Sequence, residues 1–275
     1  MNRLGIELLS VFGMNPVEHV ELAAELGCAF VSTGLSQLPF NPLEYRPWSL
    51  RDDAQLRRDM RAAMRDTGVT IALGEGFTIR SGSDVAGAAG DLDLMAELGA
   101  ACIGAVSLDT DIGRTRDQLA RLAELAAHRR MRTTIEFVPG FTVSTFAQAV
   151  HMVDEIGLSN LGVLVDAMHF FRSGGELAAL AAARPEQIAH AQICDVPLQP
   201  LGTDYLHEAM FCRRAPGEGD LPLAAFVAAL PPCTTVGLEI PNLAQAKAGI
   251  APQARLWPAV EAARTLMDSH IQHSR

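Results

Sequence analysis

The chain has 275 residues, 49% of them hydrophobic and 20% charged, which is ample for a sizeable core and ordinary for a soluble globular protein. Its formal net charge of −10 argues against a nucleic-acid partner, because phosphate binding needs a basic surface. Five scattered cysteines, none in C-x-x-C spacing, suggest neither a thiolate zinc site nor a disulfide framework and read as buried fillers in a reducing cytoplasm.

The N-terminus, "MNRLGIELLS", goes straight into a strand-like run with no leader pattern, and no segment reaches the roughly 18 apolar residues of a spanning helix. A cytoplasmic protein without membrane contact is the expectation. From there the strand candidates follow in order: 3–9 (RLGIELL), 28–34 (CAFVSTG), 69–75 (VTIALGE), 101–107 (ACIGAVS), 132–138 (RTTIEFV), 161–167 (LGVLVDA), 188–194 (IAHAQIC) and 234–240 (TTVGLEI). Between them lie stretches with helical spacing, such as PVEHVELAAELG, RDDAQLRRDMRAAMRDTG, TRDQLARLAELAAHRR and VSTFAQAVHMVDEIG. Pro16 stands where a helix starts, and Gly27, Gly68, Gly99 and Gly157 stand just past helix ends. Strict alternation of eight strands with helices predicts an α/β fold, a closed (β/α)8 TIM barrel formed by residues 1–275 as one domain. A nucleotide-binding doubly wound sheet is disfavoured, since no G-x-G-x-x-G follows the first strand.

Barrel enzymes work at the C-terminal ends of their strands. There this sequence offers Glu136, Asp166, Gln192 and Glu239, from four successive strands. Pointing outward, they would bury acids against apolar helices; pointing inward, they converge and repel one another unless a divalent cation sits among them. An all-oxygen set suits Mg²⁺ or Mn²⁺, with Co²⁺ or Zn²⁺ open, because ligand type only biases the choice. His169, three residues past Asp166, is a ligand, an acid/base group or a donor to a ligand. Asp195 reads as a turn former, His190 as a residue deeper in the barrel, and His207 as a weak candidate in the loop after strand seven. Glu75, ending strand three, faces the substrate or caps the mouth. Arg213 and Arg214 in RRAPGEGD are a candidate bidentate grip on a substrate carboxylate or phosphate. The segment 38–50 (LPFNPLEYRPWSL), with Phe40 and Trp48, is a candidate lid or homo-oligomer contact.

The motifs TIEFVP, VDAMHFFRSGG, AHAQICDVP, RRAPGEGDLPL and GLEIPN together resemble the xylose isomerase-like TIM barrels over nearly the whole chain. That family includes sugar and sugar phosphate isomerases and epimerases, hydroxypyruvate isomerases, inosose dehydratases and 3-dehydroshikimate dehydratases. The resemblance implies that Glu136, Asp166, Gln192 and Glu239 bind one divalent cation; a His commonly stands where this chain has Gln192. Endonuclease IV-like members carry extra histidines that are missing here.

On this reading the cation polarises a substrate carbonyl and stabilises an enediolate, with Glu136 and Glu239 as acid/base groups and His169 assisting. The expected activity is isomerisation or epimerisation of a small keto or hydroxy sugar. Dehydration of a dehydroshikimate-like or keto-cyclitol substrate is the alternative, and a barrel used only for binding is the alternative of another class. A Schiff-base aldolase is excluded, since Lys247, past strand eight, is the one lysine.

Overall fold

The computed structural model describes residues 2–39 and 41–273. Eight strands, β1 (Leu4–Ile6), β2 (Phe30–Thr33), β3 (Thr70–Ile79), β4 (Cys102–Ser107), β5 (Arg132–Glu136), β6 (Leu161–Asp166), β7 (Ile188–Ile193) and β8 (Val236–Leu238), pair in chain order and close into a barrel. Every pairing is parallel, including the β1–β8 contact that closes the ring.

The helices are α1 (Pro16–Glu25), α2 (Ala54–Thr67), α3 (Ala89–Leu98), α4 (Ile112–Ala127), α5 (Phe146–Ile156), α6 (Ala167–Arg172), α7 (Leu177–Ala182), α8 (Tyr205–Phe211), α9 (Leu223–Ala229), α10 (Leu243–Lys247) and α11 (Pro252–His273). Local chemistry starts and stops them. Asn15, Asp53, Asp111 and Thr145 cap α1, α2, α4 and α5 through side-chain oxygens, satisfying amides that the first turn leaves unpaired. Gly68 and Gly157 end α2 and α5 at φ 79° and 69°, a conformation that costs other residues a Cβ clash. Among the described residues no helix is long and apolar enough to cross a membrane.

The outward faces of the strands pack against the helices in one continuous core that contains Val31, Ile103, Ile135, Val163 and Val165. Among the described residues, Leu73, Cys102 and Leu164 form a separate buried apolar cluster. The interior is largely polar, with Glu7, Thr134, His190 and Gln192 all buried.

Three element ends differ from the sequence pattern. β1 stops at Ile6 because the chain turns at Leu8–Val11 into a 3-10 helix, and β8 is reduced to three residues. β3 instead runs on past the expected end at Glu75 to Ile79, through a register shift between Gly74 and Phe77. In the 38–50 segment, Trp48 is buried and its indole N–H donates to Gly13 O at 2.9 Å, which ties the segment to the start of α1. Phe40 lies outside the described residues.

Candidate active site

Strand parity brings the predicted quartet together. Glu136 ends β5, Asp166 ends β6 and is in register with Gln192 on β7, and Gln192 is in register with Gly237, two residues before Glu239. Glu75, Glu136, Leu164, Gln192 and Glu239 share the wall of a mouth cavity of about 170 Å³. The D-x-x-H spacing also has a local role: Asp166 Oδ1 accepts the His169 backbone N–H at 2.8 Å and caps α6. His169 is buried with Nε2 3.5 Å from Glu136 Oε1. Its Nδ1 lies 2.5 Å from the Tyr205 hydroxyl on α8. Arg172 on α6 pairs with Glu208 on α8 at 2.7 Å, fixing the two helices against each other and Tyr205 with them.

Arg213 sits among the acids. Its Nη1 is 2.5 Å from Asp166 Oδ2 and 2.9 Å from Glu239 Oε2, and its Nε donates to Ala209 O at 2.6 Å. The expected open grip on a substrate anion is therefore replaced by an internal bridge between two carboxylates. The cause is a short antiparallel bridge between Asp195 and Arg214, which turns consecutive side chains to opposite sides. Arg213 faces inward, while Arg214 lies on the outer side, donating to Glu218 O at 3.1 Å. His207 is exposed and rests against the Phe211 ring, away from the mouth cavity.

One guanidinium does not neutralise the mouth. Burial, and then the Asp166 charge, push Glu136 up to about 8 against the opposing pull of Arg213. Glu239 is pushed well above the carboxylate range by burial, with Asp166 and Glu136 adding to it and Arg213 opposing. Burial alone would raise Asp166 too, but Arg213 and His169 hold it below its ordinary value. Burial pulls His169 down to about 4, so its imidazole is neutral at pH 7.

The donor chemistry fits a divalent cation. Gln192 Nε2 donates to Glu239 Oε1 at 3.3 Å, while Gln192 Oε1 is buried with no hydrogen-bond partner. An orphaned carbonyl oxygen among crowded carboxyls costs about 1–3 kcal/mol unless a cation or donor takes it up. Among the described residues, no three His, Cys, Asp or Glu side chains converge tightly enough to chelate an ion by themselves, and Arg213 stands between Asp166 and Glu239.

The remaining candidates are placed as follows. Glu75 accepts a hydrogen bond from Ser32 Oγ, and burial with the adjacent Glu7 charge pushes it up to about 7. His190 lies beneath the quartet, with Nε2 2.7 Å from Glu7 Oε1 and Nδ1 2.7 Å from Thr235 Oγ1. Asp195 is a turn former: its carboxylate accepts the N–H groups of Val196, Gly217 and Leu221 and holds the PGEGD turn in place. Tyr205 and Glu7 escaped the sequence reading. The Asp204 cap that opens α8 is the local signal that would have led to Tyr205.

Residues 20–259 match the family model of the xylose isomerase-like TIM barrel, and the chain belongs to that family. Over 184 residues it is 32% identical to a 3-dehydroshikimate dehydratase of Pseudomonas aeruginosa, covering 62% of this chain and 29% of that protein. It is also 32% identical to an inosose isomerase of Bacillus subtilis over 116 residues, covering 42% of this chain and 40% of the isomerase. The chain thus spans less than half the length of these curated relatives. Among solved structures, the IOLI protein with a binding zinc atom superposes at TM-score 0.80 with 19% identity, covering 98% of this chain and 99% of that one. A D-psicose 3-epimerase of Clostridium cellulolyticum, solved with D-tagatose, superposes at TM-score 0.72 with 14% identity, covering 96% and 99%. These curated relatives, together with a hydroxypyruvate isomerase of Escherichia coli that is 35% identical over 60 residues (22% of this chain, 23% of the isomerase), are enzymes.

Proposed function

We propose that this protein is a divalent-metal-dependent isomerase or epimerase that moves a proton beside the carbonyl of a small keto or hydroxy compound. The observation that carries the reading is the buried, unpartnered Gln192 Oε1 among Glu136, Asp166 and Glu239. Those four residues would hold the cation, with Mg²⁺ or Mn²⁺ favoured by all-oxygen donors. When bound, it supplies Lewis acidity toward a substrate carbonyl and countercharge for the acids.

The chain's own residues do the rest. Glu136 and Glu239 rise from β5 and from the end of β8, on separate walls of the barrel. A substrate between them offers its C–H to one carboxylate and can be reprotonated from the other. Return to the opposite face of the same carbon is epimerisation; return to the neighbouring carbon is isomerisation. His169, held neutral and oriented by Tyr205, is near enough to Glu136 to share its proton. Arg213 keeps Asp166 and Glu239 from turning outward.

A second reading, dehydration by loss of a β-hydroxyl after the same proton abstraction, is supported by the 184-residue match to a dehydratase. The test is elemental analysis of protein purified without an immobilised-metal column, wild type beside Glu239→Ala, followed by an Mn²⁺ titration of each. The reading requires about one ion per chain in the wild type, lost in the variant, together with metal-dependent exchange of substrate hydrogen for solvent deuterium. Absence of both refutes it.

A further inference from the structure

Two cavities meet at one carboxylate. The mouth cavity of about 170 Å³ and a second of about 260 Å³, between the ends of β2 and β3, share Glu75, Gly76 and Phe77 in their walls. Leu8 and Leu35 line the second, with Ser36 and Gln37 beside them and Arg51 and Asp91 at its edge.

The backbone is shaped to put Glu75 at that junction. The register shift in β3 takes Glu75 and Gly76 out of the ladder, and such bulges re-aim a side chain. Gly76 has φ +101°, which an L side chain rarely adopts, and a Cβ on Gly74 would stand 2.7 Å from Met95 Sδ. Gly76 is thus held to glycine by its backbone, while Gly74 leaves room for the Met95 side chain. Ser32 Oγ accepts the Leu8 N–H at 2.7 Å and turns its own proton toward the Glu75 carboxylate, which fixes the position of the acid.

The ionisable groups lining the two cavities are mostly acids. Their acids are Glu75, Glu136, Glu239 and Asp91. Among the described residues lining them the one cation is Arg51, which already pairs with Asp91 through two bonds of 2.9 and 2.7 Å. Arg213 is engaged by Asp166 and Glu239.

Taking the enolising reading as its basis, we propose that Glu75 is the specificity-determining residue of this site. It binds a hydroxyl of an uncharged polyhydroxy ketone or aldehyde, a free sugar or cyclitol ketone that spans both cavities, and it rejects a phosphate or carboxylate at that end. Burial and the Glu7 charge push Glu75 up to about 7, so above that pH it is a carboxylate that accepts hydroxyl protons and repels anions, and it discriminates between the two by attraction and repulsion together.

The test compares D-fructose and scyllo-inosose with D-fructose 6-phosphate and 3-dehydroshikimate, reading solvent-deuterium incorporation by NMR for wild type, Glu75→Gln and Ser36→Phe. The wild type should favour the neutral compounds. Glu75→Gln should lower kcat/KM for them about tenfold or more, the loss typical of a charged hydrogen-bond partner, and should raise the relative rate of the anionic ones. Ser36→Phe, which narrows the second cavity without touching Glu75, should raise KM for D-fructose and leave dihydroxyacetone unaffected. Calorimetric titration with sorbitol and sorbitol 6-phosphate gives a readout independent of turnover. Exchange that depends on Glu239 but shows an unchanged neutral-to-anion ratio in Glu75→Gln overturns the Glu75 assignment and leaves the enolising reading standing. Glu75-dependent sorbitol binding without any exchange does the reverse. Preference of the wild type for the phosphorylated compounds overturns the assignment outright.

Discussion

Arg213→Met tests whether the guanidinium and a divalent cation serve the same two carboxylates. In the structure Nη1 holds Asp166 at 2.5 Å and Glu239 at 2.9 Å, all three side chains being buried. Methionine fills much of the same volume and removes the charge. Taking away one partner of a buried pair leaves uncompensated charge and costs about 3–5 kcal/mol, here discounted toward the lower end because Glu239 can escape by protonation. For a domain of this size that is a fall in Tm of roughly 10 °C in metal-free buffer. Added Mn²⁺ should return about 2.7 kcal/mol at a concentration one hundred times its Kd. The variant should also bind Mn²⁺ more tightly than the wild type, since no guanidinium has to be displaced from the acids. Differential scanning fluorimetry across an Mn²⁺ series, with and without chelator, reads both effects. A metal-free variant as stable as the wild type, or one whose Mn²⁺ response is no larger, would refute the reasoning.

Four further outcomes are expected. His19 is buried and burial pulls it down to about 4; between that value and its unfolded value near 6.5 only the unfolded chain takes up the proton, so stability falls as pH drops through this window. The His19 share of the loss amounts to about 3 kcal/mol near pH 4, and urea titrations at pH 7 and 4.5 should show the wild type losing more, by about that amount, than His19→Leu, in which the similarly shifted His169 still contributes. A Cβ on Gly237 would stand 1.5 Å from Glu7 Oε1, so Gly237→Ala should evict Glu7 from His190 and cost about 3 kcal/mol; an unchanged urea midpoint would show that the pair relaxes freely. Tyr205→Phe removes the hydroxyl 2.5 Å from His169 Nδ1 and should change the imidazole tautomer pattern in ¹⁵N NMR while lowering kcat/KM about tenfold. Because burial and Asp166 hold Glu136 up to about 8 in the metal-free chain, Mn²⁺ binding should release protons below that pH and tighten as pH rises toward 8; pH-independent affinity between 6 and 8 contradicts it.

What could be read ahead of the structure was periodic. Strand alternation with helices gave the barrel, and parity along each strand put Glu136, Asp166, Gln192 and Glu239 on the inner face. Contacts between segments far apart in sequence were hidden. RRAPGEGD reads as a loop, and only the Asp195–Arg214 bridge decides that Arg213 turns inward and Arg214 outward. Nothing local to Gly237 shows that Glu7, 230 positions away, crosses over it toward His190. The β3 bulge was invisible because the strand pattern ends at Glu75, whereas pairing with β4 on both sides of the shift carries the strand on.

The placement of countercharge explains why the interior tolerates so many acids. Glu7 is hydrogen-bonded to His190 below the mouth, and Arg213 bridges Asp166 and Glu239 at its floor, so these lower acids find partners within the chain itself. Glu136 and Glu75 are not compensated, and both hold their protons to unusually high pH. A site whose acids were purely structural would gain from losing those two charges, since an apolar replacement of similar volume is commonly neutral or stabilising. Keeping them where they line a solvent-connected cavity, with one followed by a glycine at φ +101°, is a stability cost that binding or proton transfer at the mouth can offset and packing cannot.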